Sequence, residues 1–148
     1  VEEVNKRGGY IPDEPIVEIV KIIIAEHIEK GKETFIFTGF PRTLGQLNLV
    51  DEMVKEFNAI SVHIQFDISD ETVRQRAKIR QEEYQREGKE TRSDDDPKVV
   101  EDRLNSFYTK TLPMLEKLGQ EGRLICINGE GSIPEVERET SIRLSKEK

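Results

Sequence analysis

Apolar residues along the chain switch between two periods. Ile16, Ile19, Val20, Ile23 and Ile24 recur at the three-and-four spacing of one helix face, after Asp13, which can cap, and Pro15, which a first turn tolerates; Gly31 ends the run. Phe35 to Thr38 is a short continuous apolar run, the pattern of a buried parallel strand. Leu44, Leu47, Val50, Met53, Val54 and Phe57 return to helical spacing from Thr43, and Ile60 to Ile68 is rich in β-branched residues, which predicts a second strand. A charged helix follows from about Ser69, with a turn near Gly88. After Asp94-Asp95-Asp96-Pro97 a long helix carries Val100, Leu104, Phe107 and Tyr108, with Pro113 expected to bend it. Leu124 to Asn128 predicts a third strand, 129–131 a turn, and Ser132 with Glu135 a capping box for a last helix. Strands alternating with helices specify an α/β fold with a parallel, doubly wound sheet. Three strands are few for such a sheet, so the sheet looks incomplete.

Composition narrows the function. The 148 residues suit one domain; 36% are charged and the net charge is −7. An acidic balance argues against nucleic acid or anionic membranes as partners, so any bound anion must be gripped by locally placed Arg. No apolar stretch approaches the roughly 18–20 residues of a membrane span, and no signal-like region opens the chain; cytoplasmic residence is the expectation. The one cysteine, Cys126, can form neither an internal disulfide nor a Cys-rich zinc site and is expected in the core, and no metal-ligand set is expected.

Candidate chemistry lies where strands end, since ligands of open α/β sheets sit outside the strands' carboxyl ends. Gly39-Phe40-Pro41-Arg42 follows one such end, and a guanidinium there can grip phosphate through paired hydrogen bonds; Gln46, one turn later, could read a base edge. Arg76, Arg80, Arg92 and Arg103 surround Asp94-Asp95-Asp96 in sequence, whereas Arg74 and Arg86 fit a solvated helix face. Arginines converging from several segments suit a polyphosphate, and the aspartates would keep them in register when no ligand is bound.

With GGYIPDE, GFPRTLGQ, FDISDETVRQR and Arg80 beyond it, TRSDDD, Arg103-Leu104 followed by Tyr108 and Thr111-Leu112-Pro113, and the ING turn at 127–129, the chain resembles the adenylate kinases over nearly its whole length. The resemblance implies a P-loop, nucleoside monophosphate kinase-like fold. It also implies reversible, Mg2+-dependent transfer of the ATP γ-phosphoryl to AMP, giving two ADP. On the AMP side it implies the backbone of Gly9, Tyr10 and Ile11, the loop Gly39, Phe40, Pro41 and Arg42 holding the phosphate, and Gln46 reading adenine, with Arg92 and Arg103 neutralising the transferring group and the AMP phosphate. On the ATP side it implies Arg76 stacking on the base, Arg80 reaching the phosphates, and the backbone at Gly131 meeting adenine. Arg80, Arg92 and Arg103 would be the catalytic set. Residues 1–16 would belong to the AMP-binding segment, 79–95 would be a short mobile lid, and 1–148 one incomplete kinase core. Thr43 and Gln46 match the AMP pattern better than that of UMP/CMP kinases.

Two departures stand out. The family opens with a strand and a GxxxxGK-type phosphate loop, but here the only Gly-Lys pairs, 31–32 and 88–89, lack the preceding Gly and the following Ser or Thr. Thr38 stands where the family commonly has an Asp that orders magnesium water. The expectations are therefore a kinase whose N-terminal strand and phosphate loop are missing, with this chain inactive alone. The alternatives are a catalytically dead nucleotide-binding or interaction module, or a kinase for another nucleoside monophosphate. In the family the missing strand lies mid-sheet, so the strands at 35–38 and 61–67 would face a gap.

Overall fold

A computed structural model describes residues 13–145, which form two compact units. The expected backbone contacts at Gly9, Tyr10 and Ile11 lie outside the described residues.

The first unit takes in the chain to Ser61 and the stretch 106–114. Helix α1 (Asp13–Glu29) contains Pro15 in its first turn, where the missing N–H is not needed. It stops at Gly31, whose φ of +77° a glycine adopts without a Cβ penalty, and the Lys32 N–H closes back on the His27 carbonyl at 3.0 Å. Helix α2 (Leu44–Glu56) packs Met53 against Val17 and Ile24 of α1, with Val20, Phe35, Phe40, Leu49, Val50 and Phe57 around them, and Lys21 pairs with Glu56 at 3.3 Å. Of the positions that the helical periodicity selects, Ile24, Val20, Met53, Val50 and Phe57 lie in this cluster, whereas Ile19, Ile23 and Leu44 are exposed and Val17, which the pattern did not single out, is buried.

The second unit, Val62–Asn105 with residues 115 onward, holds the sheet. Strand β1 (His63–Asp67) runs parallel to β2 (Leu124–Asn128) in the register His63 to Leu124 through Asp67 to Asn128. Between them come α3 (Asp70–Arg86), a 3-10 turn (Ser93–Asp95), α4 (Pro97–Ser106), a π turn (Phe107–Thr111) and α5 (Leu112–Gln120), the long crossover that parallel strands require. Helix α6 (Ile133–Leu144) follows β2. The expected capping box opens α6: the Glu135 carboxylate accepts from the Ser132 N–H at 2.8 Å and the Ser132 hydroxyl at 2.6 Å. The architecture is α/β with a parallel sheet flanked by helices.

Two expectations change. Residues 35–38 are not a strand: an extended segment becomes one only when a neighbour accepts its ladder, and the described sheet has two strands, neither of them this segment. At Pro113, expected to bend it, the long helix runs through the π turn (Phe107–Thr111) into α5. Lacking an N–H, Pro113 cannot close a bond onto the carbonyl four residues back; the helix widens just before it, and Leu112 N–H bonds Phe107 carbonyl five back. Cys126 is exposed rather than in the core, because on β2 it shares a face with Leu124 and Asn128 while Ile127, on the other face, is 1% exposed.

Ile36, Ile60, Val62 and Phe66 all remain exposed, Ile36 at 89% and Ile60 at 93%. Among the described residues no helix is long and apolar enough to cross a membrane.

Candidate functional site

The turn between residue 38 and α2 is built by local bonds. Gly39 has φ +71°, and the Arg42 side chain folds back over it, donating from Nε to the Gly39 carbonyl at 2.6 Å. The positive φ calls for glycine at Gly39; a Cβ there would lie 2.4 Å from Arg42 Nη2, the end of a long side chain that can swing aside. The Phe40-Pro41 peptide is cis. Thr43 caps α2, its hydroxyl accepting from the Gln46 N–H at 3.1 Å, and the Gln46 side-chain oxygen accepts from the Arg42 N–H at 2.7 Å. Gln46 is 3% exposed. Its amide thus has a structural bond that the sequence reading did not foresee: it fixes the backbone of Arg42. An arginine at a helix N-terminus combines a guanidinium with the positive end of the helix dipole, a setting that attracts anions.

In the second unit, three arginines from three segments gather on two neighbouring carboxylates. Arg80, from α3, grips Asp95, with Nη2 at 2.6 Å and Nε at 3.2 Å from Oδ1. Arg92 grips Asp94 with Nε and Nη2 at 3.0 and 2.7 Å. Arg103, from α4, reaches the Asp94 carbonyl at 3.5 Å and its carboxylate at 4.0 Å. Asp95 is 2% exposed, while the arginine side chains stay about half exposed. The hydrogen bond to Asp95 raises Arg80 above its ordinary value, and that to Asp94 does the same for Arg92. Burial pushes Asp94 upward, but the Arg92 hydrogen bond and the charges of Arg92 and Arg103 outweigh it and hold the carboxyl below its ordinary 3.8. The guanidinium groups of Arg80 and Arg92 are thus held charged, and all three arginine side chains are presented to solvent. The third aspartate, Asp96, instead accepts from the Lys98 N–H at 2.9 Å at the start of α4.

Arg76 does not join this cluster, although it lies one turn from Arg80. It donates from Nη2 to the Gly129 carbonyl at 2.8 Å, in the turn after β2. Arg74, read as a solvated residue, ties α3 to α4 through Glu101 at 2.6 and 3.1 Å. Residues 79–95 comprise the last turns of α3, a turn at Gly88 with φ +64°, and the 3-10 turn.

An open groove of about 620 Å³ lies at the carboxyl ends of both strands, lined by Asp67, Asn128, Ser69, Glu130, Glu139 and Arg143 among others. Its acids outnumber its single arginine, so bare polyphosphate is not its natural occupant; the capacity to hold anions resides in the arginine cluster outside its lining. Glu130 went unremarked in the sequence reading. It accepts from the Ser69 N–H and the Thr72 hydroxyl, each at 2.5 Å, and the signal that could have found it is an acid in the turn after a strand.

Acid titration follows from these contacts. Asp94 lies below its ordinary 3.8; Glu101, held by Arg74, and Glu130, held by Thr72 and Ser69, lie below 4.5. Depressed carboxylates stabilise the fold fully above their unfolded values and cease to do so as pH falls through the folded ones. The urea midpoint is therefore expected to change little through these groups from pH 7 to about 5 and to drop below about 4.5, with Glu101→Gln reducing that drop. A midpoint falling steeply between pH 7 and 5 would contradict it.

Comparison with known proteins identifies the family. The adenylate kinase family model matches residues 1–123. The chain is 30% identical over 141 residues to the adenylate kinase of Nitrobacter winogradskyi, covering 93% of this chain and 66% of that protein. It is 35% identical over 131 residues to that of a Chelativorans species, 86% of this chain and 68% of that one. Over 133 residues it is 29% identical to adenylate kinase isoenzyme 1 of Caenorhabditis elegans, 90% of this chain and 59% of the relative. The chain thus spans about two thirds of the length of the curated relatives it matches. On the family match across most of its residues, this chain belongs to the adenylate kinase family.

Proposed function

We propose that the chain supplies the acceptor site, the donor-side arginines and the lid of a cytoplasmic adenylate kinase, which transfers the ATP γ-phosphoryl to AMP. The observation that carries this is the gathering of Arg80, Arg92 and Arg103 on Asp94 and Asp95. Phosphoryl transfer spreads charge over the equatorial oxygens of the moving group, and its catalysis is mainly positioning plus neutralisation. The aspartates act as place-holders: each carboxylate occupies a guanidinium fork that a phosphate would take over, so the forks are oriented before the nucleotide arrives. Arg42, pinned by Gly39 and Gln46, would hold the acceptor phosphate, with Gln46 beside it for the base.

Magnesium travels on donor phosphates in this reaction class. Position 38 offers it a neutral Thr hydroxyl, and among the described residues no group of three His, Cys, Asp or Glu could cage a metal. The described residues do not fit a protein-held ion, whose seat would be the nucleotide's own oxygens.

The test is acceptor profiling of the enzyme in its full natural length: AMP is expected to be phosphorylated well ahead of UMP and CMP. A preference for UMP or CMP would move the reading to another monophosphate. Thr38 favours a second reading, a nucleotide-binding module without turnover. Tight ATP and AMP binding with no ADP formed would establish that one instead.

A further inference from the structure

Helix α3 begins with an unusual cap. Ser69 caps it in the ordinary way, its hydroxyl accepting from the Thr72 N–H at 3.2 Å. In a capping box the third helical residue is a Glu or Gln that returns to the cap's own N–H. Here that residue is Thr72, which has no carboxylate, and the missing acceptor comes from 61 residues away: Glu130 takes the Ser69 N–H with one oxygen and the Thr72 hydroxyl with the other, both at 2.5 Å. A glutamate in this place also meets the positive end of the helix dipole.

The turn that carries Glu130 is fastened at further points. Gly129 N–H donates to the Asp67 carbonyl at 2.8 Å, Glu130 N–H donates to Asn128 Oδ1 at 2.9 Å, and Arg76, two turns into α3, reaches the Gly129 carbonyl at 2.8 Å. Gly129 is packed so closely that a Cβ would come within 2.6 Å of Ile68 Cγ2. Turn 128–131 and the first two turns of α3 are therefore bound to each other at both ends of the contact.

We propose that Glu130 is a positioning residue for the donor base: it locks the turn to α3, so that the backbone at Gly131 and the guanidinium of Arg76 present one preformed surface to the purine. This rests on the reading of Arg76 and Gly131 as the donor-base contacts. A cap serving helix stability alone needs only a local carboxylate, as Glu135 supplies for α6; recruiting it from the turn couples that turn to the helix carrying Arg76 and Arg80.

The experiment titrates the 148-residue chain with ATP and, separately, with inorganic tripolyphosphate, following amide shifts by NMR alongside thermal unfolding. The wild type is expected to bind ATP more tightly than tripolyphosphate. Glu130→Ala is expected to weaken ATP about tenfold, equivalent to about 1.4 kcal/mol, and tripolyphosphate by less than about twofold. Glu130→Ala combined with Thr72→Glu builds a local capping box and is expected to regain the unfolding temperature without regaining ATP affinity. Recovery of ATP affinity together with stability would show a cap and nothing more, and unchanged ATP affinity in Glu130→Ala would equally overturn the proposal. A wild type that binds tripolyphosphate as tightly as ATP would overturn the donor-base reading beneath it.

Discussion

A chain of residues 1–148 alone is expected to form ADP from ATP and AMP at least roughly a hundredfold to a thousandfold more slowly than a full-length relative in the same coupled assay, because single electrostatic donors of this kind commonly contribute that much. The arginine cluster can neutralise charge, but residues 1–148 contain no GxxxxGK[ST] to cradle the donor's phosphates with backbone N–H groups and a lysine. Positioning and neutralisation are both required, and only the second is visible here. Joining a strand and phosphate loop from a relative ahead of Val1 is expected to restore turnover. Rates near those of a full-length relative from the 148 residues alone would refute this account of the donor site.

In an enzyme that carries the phosphate loop, Arg42→Ala is expected to weaken AMP by about 2–5 kcal/mol, the scale for truncating one partner of a desolvated charge pair, and ATP far less. Arg42 sits at the entry to α2 with its backbone and side chain both bonded locally, so its loss leaves the second unit's contacts intact. Arg80→Ala is expected to show the opposite bias. It removes the partner of Asp95, which is 2% exposed and left without the guanidinium on which its bidentate bonds rest. Separate calorimetric titrations with AMP and ATP check both variants; equal losses for the two nucleotides in each would show the acceptor and donor assignments to be wrong.

What the sequence discloses depends on the range of each interaction. The helices at 13–29 and 44–56 follow from the spacing of Ile16, Val20, Ile24 and Leu47, Val50, Met53, because one helix face is a local property. The Ser132–Glu135 capping box is legible for the same reason. The segment 35–38 misleads because a strand is a property of two segments, and an apolar run records only one of them. Cys126 misleads because residue type gives the tendency to be buried, while the face a strand residue takes is set by register. At the site, clustered arginines and aspartates suggest an anion centre. Their division, with Asp95 serving Arg80 and Asp94 serving Arg92 and Arg103, depends on folding across the 3-10 turn. For Glu130 the one local trace is an acid in the turn after a strand; its bond to a partner 61 residues away leaves none.

Because Asp94 and Asp95 already fill the guanidinium forks, the cluster carries its own competitor. An incoming anion gains only the difference between its interaction with the arginines and that of a carboxylate. Chloride and acetate, with a single charge, gain almost nothing from the exchange, whereas a group with two or more charges and three oxygens gains at every fork. The aspartates thus set a valence threshold: in a medium crowded with monovalent anions, the centre would remain closed to ordinary salt and open to phosphates.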